Sequence, residues 1–254
     1  MDRKAILDRA RDYLSRENDA VFSAEVERLI EAQDFSELED RFYKDLEFGT
    51  GGLRGIVGGG YNRMNSYVVM RATQGLCDYI NQYYGGAPGL SACVAHDSRR
   101  MSKEFAEATA SVFAANGIKA YLFPSLRPTP ALSFALRKLG CSTGVVVTAS
   151  HNPPQYNGYK AYWNDGSQVV PPHDTGIIEK VQAVSSVKTM ALEEAKDKGL
   201  ISILGQDMDD AYVAMAKSKL LRPWLFKEAA GKVKLVYTPL HGTGAMLFER
   251  ILGE

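Results

Sequence analysis

Val145-Val146-Val147-Thr148-Ala149-Ser150-His151-Asn152-Pro153-Pro154, continued by Gln155-Tyr156-Asn157-Gly158-Tyr159-Lys160, decides the reading of this chain. The contiguous β-branched run predicts a buried strand. Pro153 and Pro154 cannot continue a strand or donate backbone hydrogen bonds, so the chain turns there. Ser150 and His151 are thereby placed at a strand's carboxyl end, the edge where open α/β sheets bind ligands.

Strand and helix patterns alternate on the amino-terminal side of that segment. Leu90 to Ala95 reads as a strand, and Ser102 opens a helix that stops at Asn116-Gly117. Ile118 to Phe123 is a second strand, and Thr129 to Leu139 a helix ended by Gly140. Ser66 to Tyr84 precedes them as a helix stopped by Gly85-Gly86. Such alternation predicts a three-layer αβα domain with a mostly parallel mixed sheet. Residues 2–46 read as helices, broken at Ser15 to Asp19, with Ser36 and Glu39 as a capping box for the third. Phe48 to Gly60 reads as a glycine-rich loop. After the key segment, Tyr159 to Val170 predicts a hairpin around Asp165-Gly166, and Asp174 to Val184 a helix.

Residues 185–205 are polar and weakly patterned, a plausible boundary. This divides the chain into 1–204, an α/β domain with a helical extension, and 205–254, the start of a second α/β domain. In the second part, Met208 to Leu221 reads as a helix, Lys232 to Tyr237 as a strand and Ala245 to Leu252 as a helix. One strand cannot bury a sheet on both faces, so the second domain is expected to be cut short.

The chain has 254 residues, with 30 basic balanced by 30 acidic. That balance gives no basic surface that would favour nucleic acid. No apolar run is long enough to span a bilayer, and the charged N-terminus is unlike a signal peptide. Cys77, Cys93 and Cys141 form no C-x-x-C pair and are expected to be buried free thiols in a reducing, cytoplasmic setting.

Ser150 is the first chemical candidate, an exposed turn hydroxyl that fits a nucleophile. A turn serine also commonly bonds its own backbone. His151 is adjacent, so the two side chains need not face each other, and no G-x-S-x-G elbow is present. The second candidate is Gly49-Thr50-Gly51-Gly52-Leu53-Arg54-Gly55. Its glycines allow close backbone approach to an anion, and Arg54 could offer a bidentate fork. It is neither a Walker A loop nor a dinucleotide fingerprint. His96-Asp97-Ser98-Arg99-Arg100 follows a strand, and its arginines either bind an anion or pair with Asp97. Arg127 in Arg127-Pro128-Thr129-Pro130 reads as a capping turn. His241, in Thr238-Pro239-Leu240-His241-Gly242-Thr243-Gly244, lies at another turn before a helix.

Together, and in this order, these strings resemble the α-D-phosphohexomutases, in the phosphoglucomutase/phosphomannomutase branch that includes phosphopentomutases. The resemblance covers roughly residues 40–254. It implies that Ser150 is a phosphoserine. Its phosphoryl would pass to a sugar phosphate, through a bisphosphorylated sugar that also serves as primer. It implies hexose 1-phosphate and 6-phosphate as the interconverted pair. It places Arg54, His151 and Lys160 in catalysis, and Asn152, Arg54 and Lys160 in phosphate binding. A Mg²⁺ ion would bridge the serine phosphate and an Asp-Gly-Asp loop. No such loop occurs here, so Ser150 is the metal site's single contribution from this chain. The chain is accordingly expected to be an inactive half of a mutase, with small sugar phosphates as its partners. A non-catalytic sugar-phosphate-binding module is the alternative, and a serine hydrolase a third.

Overall fold

Three aspartates start the first three helices. Asp2, Asp19 and Asp34 accept backbone N–H groups of Ala5, Val21 and Glu37 and so cap α1 (Arg3–Leu14), α2 (Ala20–Glu31) and α3 (Phe35–Phe42). The computed structural model that shows this describes residues 2–49 and 52–253. The cap of α3 corrects the expectation for Ser36. Asp34 stands just before the first helical residue, and its carboxylate satisfies the open N–H at Glu37. Asp34→Ala is therefore expected to cost about 1 kcal/mol in thermal unfolding, and Ser36→Ala less than about 0.5 kcal/mol.

Among the described residues the sheet has six strands in the order β1-β5-β4-β2-β3-β6. They are β1 (Gly52–Ile56), β2 (Ser91–His96), β3 (Lys119–Leu122), β4 (Thr143–Val147), β5 (Tyr156–Trp163) and β6 (Ile201–Ile203). β4, β2, β3 and β6 run parallel. β5 is antiparallel to both β4 and β1. The intervening helices are α4 (Ser66–Tyr83), α5 (Ser102–Ala115), α6 (Thr129–Leu139), α7 (His173–Ala183), α8 (Leu192–Asp197), α9 (Gln206–Ser218), α10 (Leu225–Ala229) and α11 (Ala245–Gly253).

Side chains alternate across the pleat and feed two cores. Val145 and Val147 join Leu76, Phe105 and Phe113 on the face covered by α4 and α5. Val146 joins Cys93, Leu132, Leu136 and Met208 on the face covered by α6 and α9. The expected three-layer architecture is thus present. The helical extension packs on the first face. Tyr13 lies at its centre, with edge-on contacts to Phe42, Tyr61 and Tyr67. Cys77, Cys93 and Cys141 are buried and free, and burial pushes each thiol up.

Four local expectations change. The glycine-rich stretch is not all loop: Gly52–Ile56 is the edge strand β1. Glycines weaken strand propensity, so the sequence hides a strand that β5 imposes. Gly52 itself has φ 151°, and a Cβ there would lie 1.7 Å from the Tyr159 carbonyl oxygen. The stretch 185–205 is not featureless. It holds α8 and β6, and β6 pairs in parallel with β3 through Ala120 and Ile201. β6 is too short for its alternation to register. At Asp165-Gly166 the chain turns, but the return arm makes just one bridge, Tyr162 to Gln168. Lys232 to Tyr237 forms no strand. Val236 is 95% exposed, and no described strand lies beside it to pair with its backbone.

Candidate active site

The carboxyl ends of β2 and β4 open into a cavity of about 960 Å³. Its wall includes Arg99, Arg127, Ser150, His151, Asn152 and His241. Ser150, His151 and Asn152 therefore come together as the sequence implied.

Ser150 sits where the strand ends and the backbone turns left-handed, with φ 57°. That conformation disfavours side chains with a Cβ, so neighbours must hold it. One support comes from Thr148, whose hydroxyl accepts the Ser150 N–H at 3.0 Å. The Ser150 side chain is exposed. Its Oγ lies 3.3 Å from His151 Nδ1. The two side chains thus do face each other, although the sequence did not require it. The distance is long for a hydrogen bond but within the slack seen before a substrate tightens a site.

Arg54 and Lys160 come from the neighbouring strands. Arg54 on β1 is opposite Gly158 on β5, and Gly158 continues the ladder to Thr148. Lys160 is opposite Val146. The pleat therefore puts Arg54, Lys160, Val146 and Thr148 on one sheet face. Gly158 lies between Arg54 and Thr148 without a side chain, and a Cβ there would come 2.5 Å from the Thr148 carbonyl oxygen. Arg54 and Lys160 stand beside the cavity rather than in its immediate wall. Burial lowers the Lys160 ammonium below the usual lysine value, and the Arg54 charge lowers it further, while Asp97 opposes both. Two like charges held this close form a site that favours an anion between them.

The sign of that shift sets a prediction. A lysine lowered on folding is a charge the fold disfavours, so it costs stability below both values. The cost disappears as pH rises past the ordinary lysine value of 10.5. Lys160→Gln is expected to raise Tm near neutral pH by the order of 1 °C, a gain that fades above about pH 10. Phosphate in the buffer should raise the Tm of the parent chain, and that of Lys160→Gln much less.

Two of the three arginines of the wall have structural partners. Arg127 is buried, and its Nε and Nη2 donate to both carboxylate oxygens of Asp209 on α9, at 2.8 and 2.7 Å. Its Nη1 also donates to the Ser125 hydroxyl and the Leu126 carbonyl. It is more than a capping residue. Arg99 donates to main-chain carbonyls and pairs with Asp97 at 3.3 Å. Of the two readings of Arg99, pairing is the one observed. Arg100 is exposed on the cavity wall.

His241, Gly242 and Thr243 complete the wall from the turn before α11. His241 had no distinguishing signal in the sequence. Its place depends on α11 packing against α9, where Leu247 is buried and Arg250 pairs with Asp210 at 2.9 Å. Thr50 and Gly51 of the glycine motif lie outside the described residues.

Among the described residues no group of three or more His, Cys, Asp or Glu side chains could hold a metal ion. These residues do not by themselves fit a Mg²⁺ ion, which takes an octahedron of oxygens. No helix among them is long and apolar enough to cross a membrane.

Comparison with known proteins agrees with the geometry. Residues 45–188 match the family described as phosphoglucomutase/phosphomannomutase, alpha/beta/alpha domain I. The phosphoribomutase of Saccharomyces cerevisiae is 39% identical over 240 residues, covering 90% of this chain and 38% of that protein. The human phosphopentomutase is 33% identical over 227 residues, covering 86% of this chain and 37% of that protein. The chain thus spans under half the length of the curated relatives it matches. Parafusin, a phosphoglucomutase of Paramecium, shares the fold with a TM-score of 0.66 at 19% identity, over 83% of this chain and 41% of that chain. With domain I matched from β1 through β5 and over the Ser150 turn, the chain belongs to the phosphoglucomutase/phosphomannomutase family.

Proposed function

We propose that this chain supplies the phosphoserine side of a phosphosugar mutase. In this reading a free hydroxyl of a sugar monophosphate attacks the phosphorus on Ser150. The P–Oγ bond breaks, the hydroxyl proton passes to a base, and a sugar bisphosphate forms. The bisphosphate reorients, and Ser150 Oγ attacks its other phosphorus; the P–O bond to the sugar breaks, the sugar oxygen takes up a proton, and the phosphoserine is regenerated. His151, 3.3 Å from Oγ, exchanges the serine proton in that return step. Arg54 and Lys160 stabilise the charge on the transferring phosphoryl, and Asn152 orients its oxygens. Asn152 lines the same cavity as Ser150.

The observation that carries this reading is the exposed Ser150 hydroxyl, held in a left-handed turn at the carboxyl end of β4, with Arg54 and Lys160 on the adjoining sheet face. A hydrolase is disfavoured because no described carboxylate is hydrogen-bonded to His151 to orient it. The proposed substrates are hexose 1-phosphate and 6-phosphate. The relatives named phosphoribomutase and phosphopentomutase favour the pentose pair as a second reading. Mg²⁺ and a sugar bisphosphate primer are proposed requirements, with the serine phosphate as this chain's single contribution to the metal. Residues 205–254 are proposed to belong to a second domain, and the setting is proposed to be cytoplasmic.

The test supplies the purified chain with glucose 1-phosphate or ribose 1-phosphate, the matching bisphosphate and Mg²⁺. No steady turnover is expected, because the described residues offer the metal no carboxylate cluster for repeated transfer; a slow single transfer to Ser150 is the most this chain supports. Robust turnover would show that no further residues are needed. Sugar-phosphate binding with Ser150 never modified would favour a non-catalytic binding module.

A further inference from the structure

Arg99 lines the same cavity as Ser150, and its guanidinium donates into the Ser150 turn. Nη2 donates to the carbonyls of Ser150 at 2.8 Å and Asn152 at 2.7 Å. Nη1 donates to those of Pro153 at 2.9 Å and Tyr156 at 3.0 Å. Nε faces Asp97 at 3.3 Å. Every nitrogen of the fork thus has a fixed acceptor. Four hydrogen bonds from one side chain close the turn between β4 and β5, and the ion pair with Asp97 holds its Nε.

Asp97 is fixed in turn. Its Oδ1 accepts the Arg99 N–H at 2.9 Å and the Ser102 hydroxyl at 2.6 Å, at the start of α5. Its own N–H donates to the Val147 carbonyl at 3.1 Å, the last residue of β4. The side chains of Asp97 and Arg99 are each 13% exposed, so water competes weakly for these bonds.

The chemistry gives this arrangement a purpose. Residues 150–156 hold two prolines and have few internal backbone bonds. The described ones inside the turn are Asn152 N–H to Ala149 and Tyr156 N–H to Pro153. A nucleophile on such a turn would wander, and small misplacements of reacting atoms are costly in rate. A planar fork with donors on both edges can gather several carbonyls at once, which a lysine ammonium cannot do in the same geometry.

We propose that Arg99 is the positioning residue for Ser150, holding the serine in its left-handed conformation by gathering the turn's carbonyls, with Asp97 fixing the fork. The role in phosphoryl transfer rests on the mutase reading above. The clamp itself does not.

The experiment compares the parent chain with Arg99→Lys and Asp97→Asn. It measures amide hydrogen exchange across residues 148–157 and the affinity for inorganic phosphate, by NMR titration of the turn amides. The expected result in both variants is unchanged exchange in β2 and β3, at least tenfold faster exchange in the turn, and phosphate affinity reduced at least fivefold. Asp97→Asn keeps the guanidinium and serves if Arg99→Lys does not fold. Turn exchange equal to the parent in the folded variants overturns the clamp. Faster exchange with unchanged phosphate affinity overturns the positioning role and leaves Arg99 a purely structural residue. If the parent turn does not respond to phosphate, the mutase reading loses its anion site, and the exchange measurements alone then support or overturn the clamp.

Discussion

Arg127→Ala is expected to lower the unfolding free energy by about 3–5 kcal/mol, the range for breaking a buried ion pair from one side. The guanidinium and the Asp209 carboxylate face each other with side chains only 3% and 6% exposed. Deleting the arginine leaves the carboxylate buried without its cation. It also removes the donors to Ser125 and Leu126, which shape the turn into α6. Met246 on α11 touches the same guanidinium, so three elements loosen together. Thermal unfolding should shift by about 10 °C or more. The double variant Arg127→Met with Asp209→Leu should recover most of the loss, because apolar replacements of similar volume leave no buried charge. A loss below about 1 kcal/mol would mean that water reaches the pair and that α9 is not fastened to the cavity wall by it.

Ser150→Ala should have the opposite profile. The substitution removes a hydroxyl whose one described contact is the 3.3 Å approach to His151. The side chain is exposed, and the Thr148 support acts on the backbone N–H, which alanine keeps. Tm should move by no more than about 1 °C, as for surface changes away from special features. Phosphate should still raise Tm, because Arg54 and Lys160 remain. Covalent phosphorylation of the turn should fall to background. A large fall in Tm would instead make the hydroxyl a structural member of the turn.

Much of the sheet and part of the site were legible in the sequence. Val145 to Val147, the Gly140 stop and the Asn116-Gly117 stop each combine a local propensity with a matching turn residue, and the structure follows them. β1 was hidden because its glycines serve close strand approach rather than strand propensity. Gly52 and Gly158 leave no room for a Cβ beside their neighbours' carbonyls. β6 was hidden because a three-residue edge strand has too few residues to show a period. Lys232 to Tyr237 failed in the other direction, since alternation describes a side-chain pattern and a strand also needs a partner backbone.

At the site, the Ser150 turn and Arg54 were read from the strand end and the glycine motif and Lys160 through the resemblance, and Arg54 and Lys160 stand on one sheet face beside the turn. The tasks of Arg99, Arg127 and His241 were not readable. Each depends on a partner distant in the chain: Arg99 on carbonyls from Ser150 to Tyr156, Arg127 on Asp209, and His241 on the packing of α11. No local pattern encodes such pairings.

The central claim is that Ser150 carries a phosphoryl group. The most direct measurement is intact-mass analysis of the purified chain after exposure to glucose 1,6-bisphosphate and Mg²⁺, with the modified residue located by fragmentation. The account predicts a single added phosphate on Ser150, absent from Ser150→Ala. A phosphate on another residue, or no modification of Ser150 in a chain that binds the bisphosphate, would contradict it.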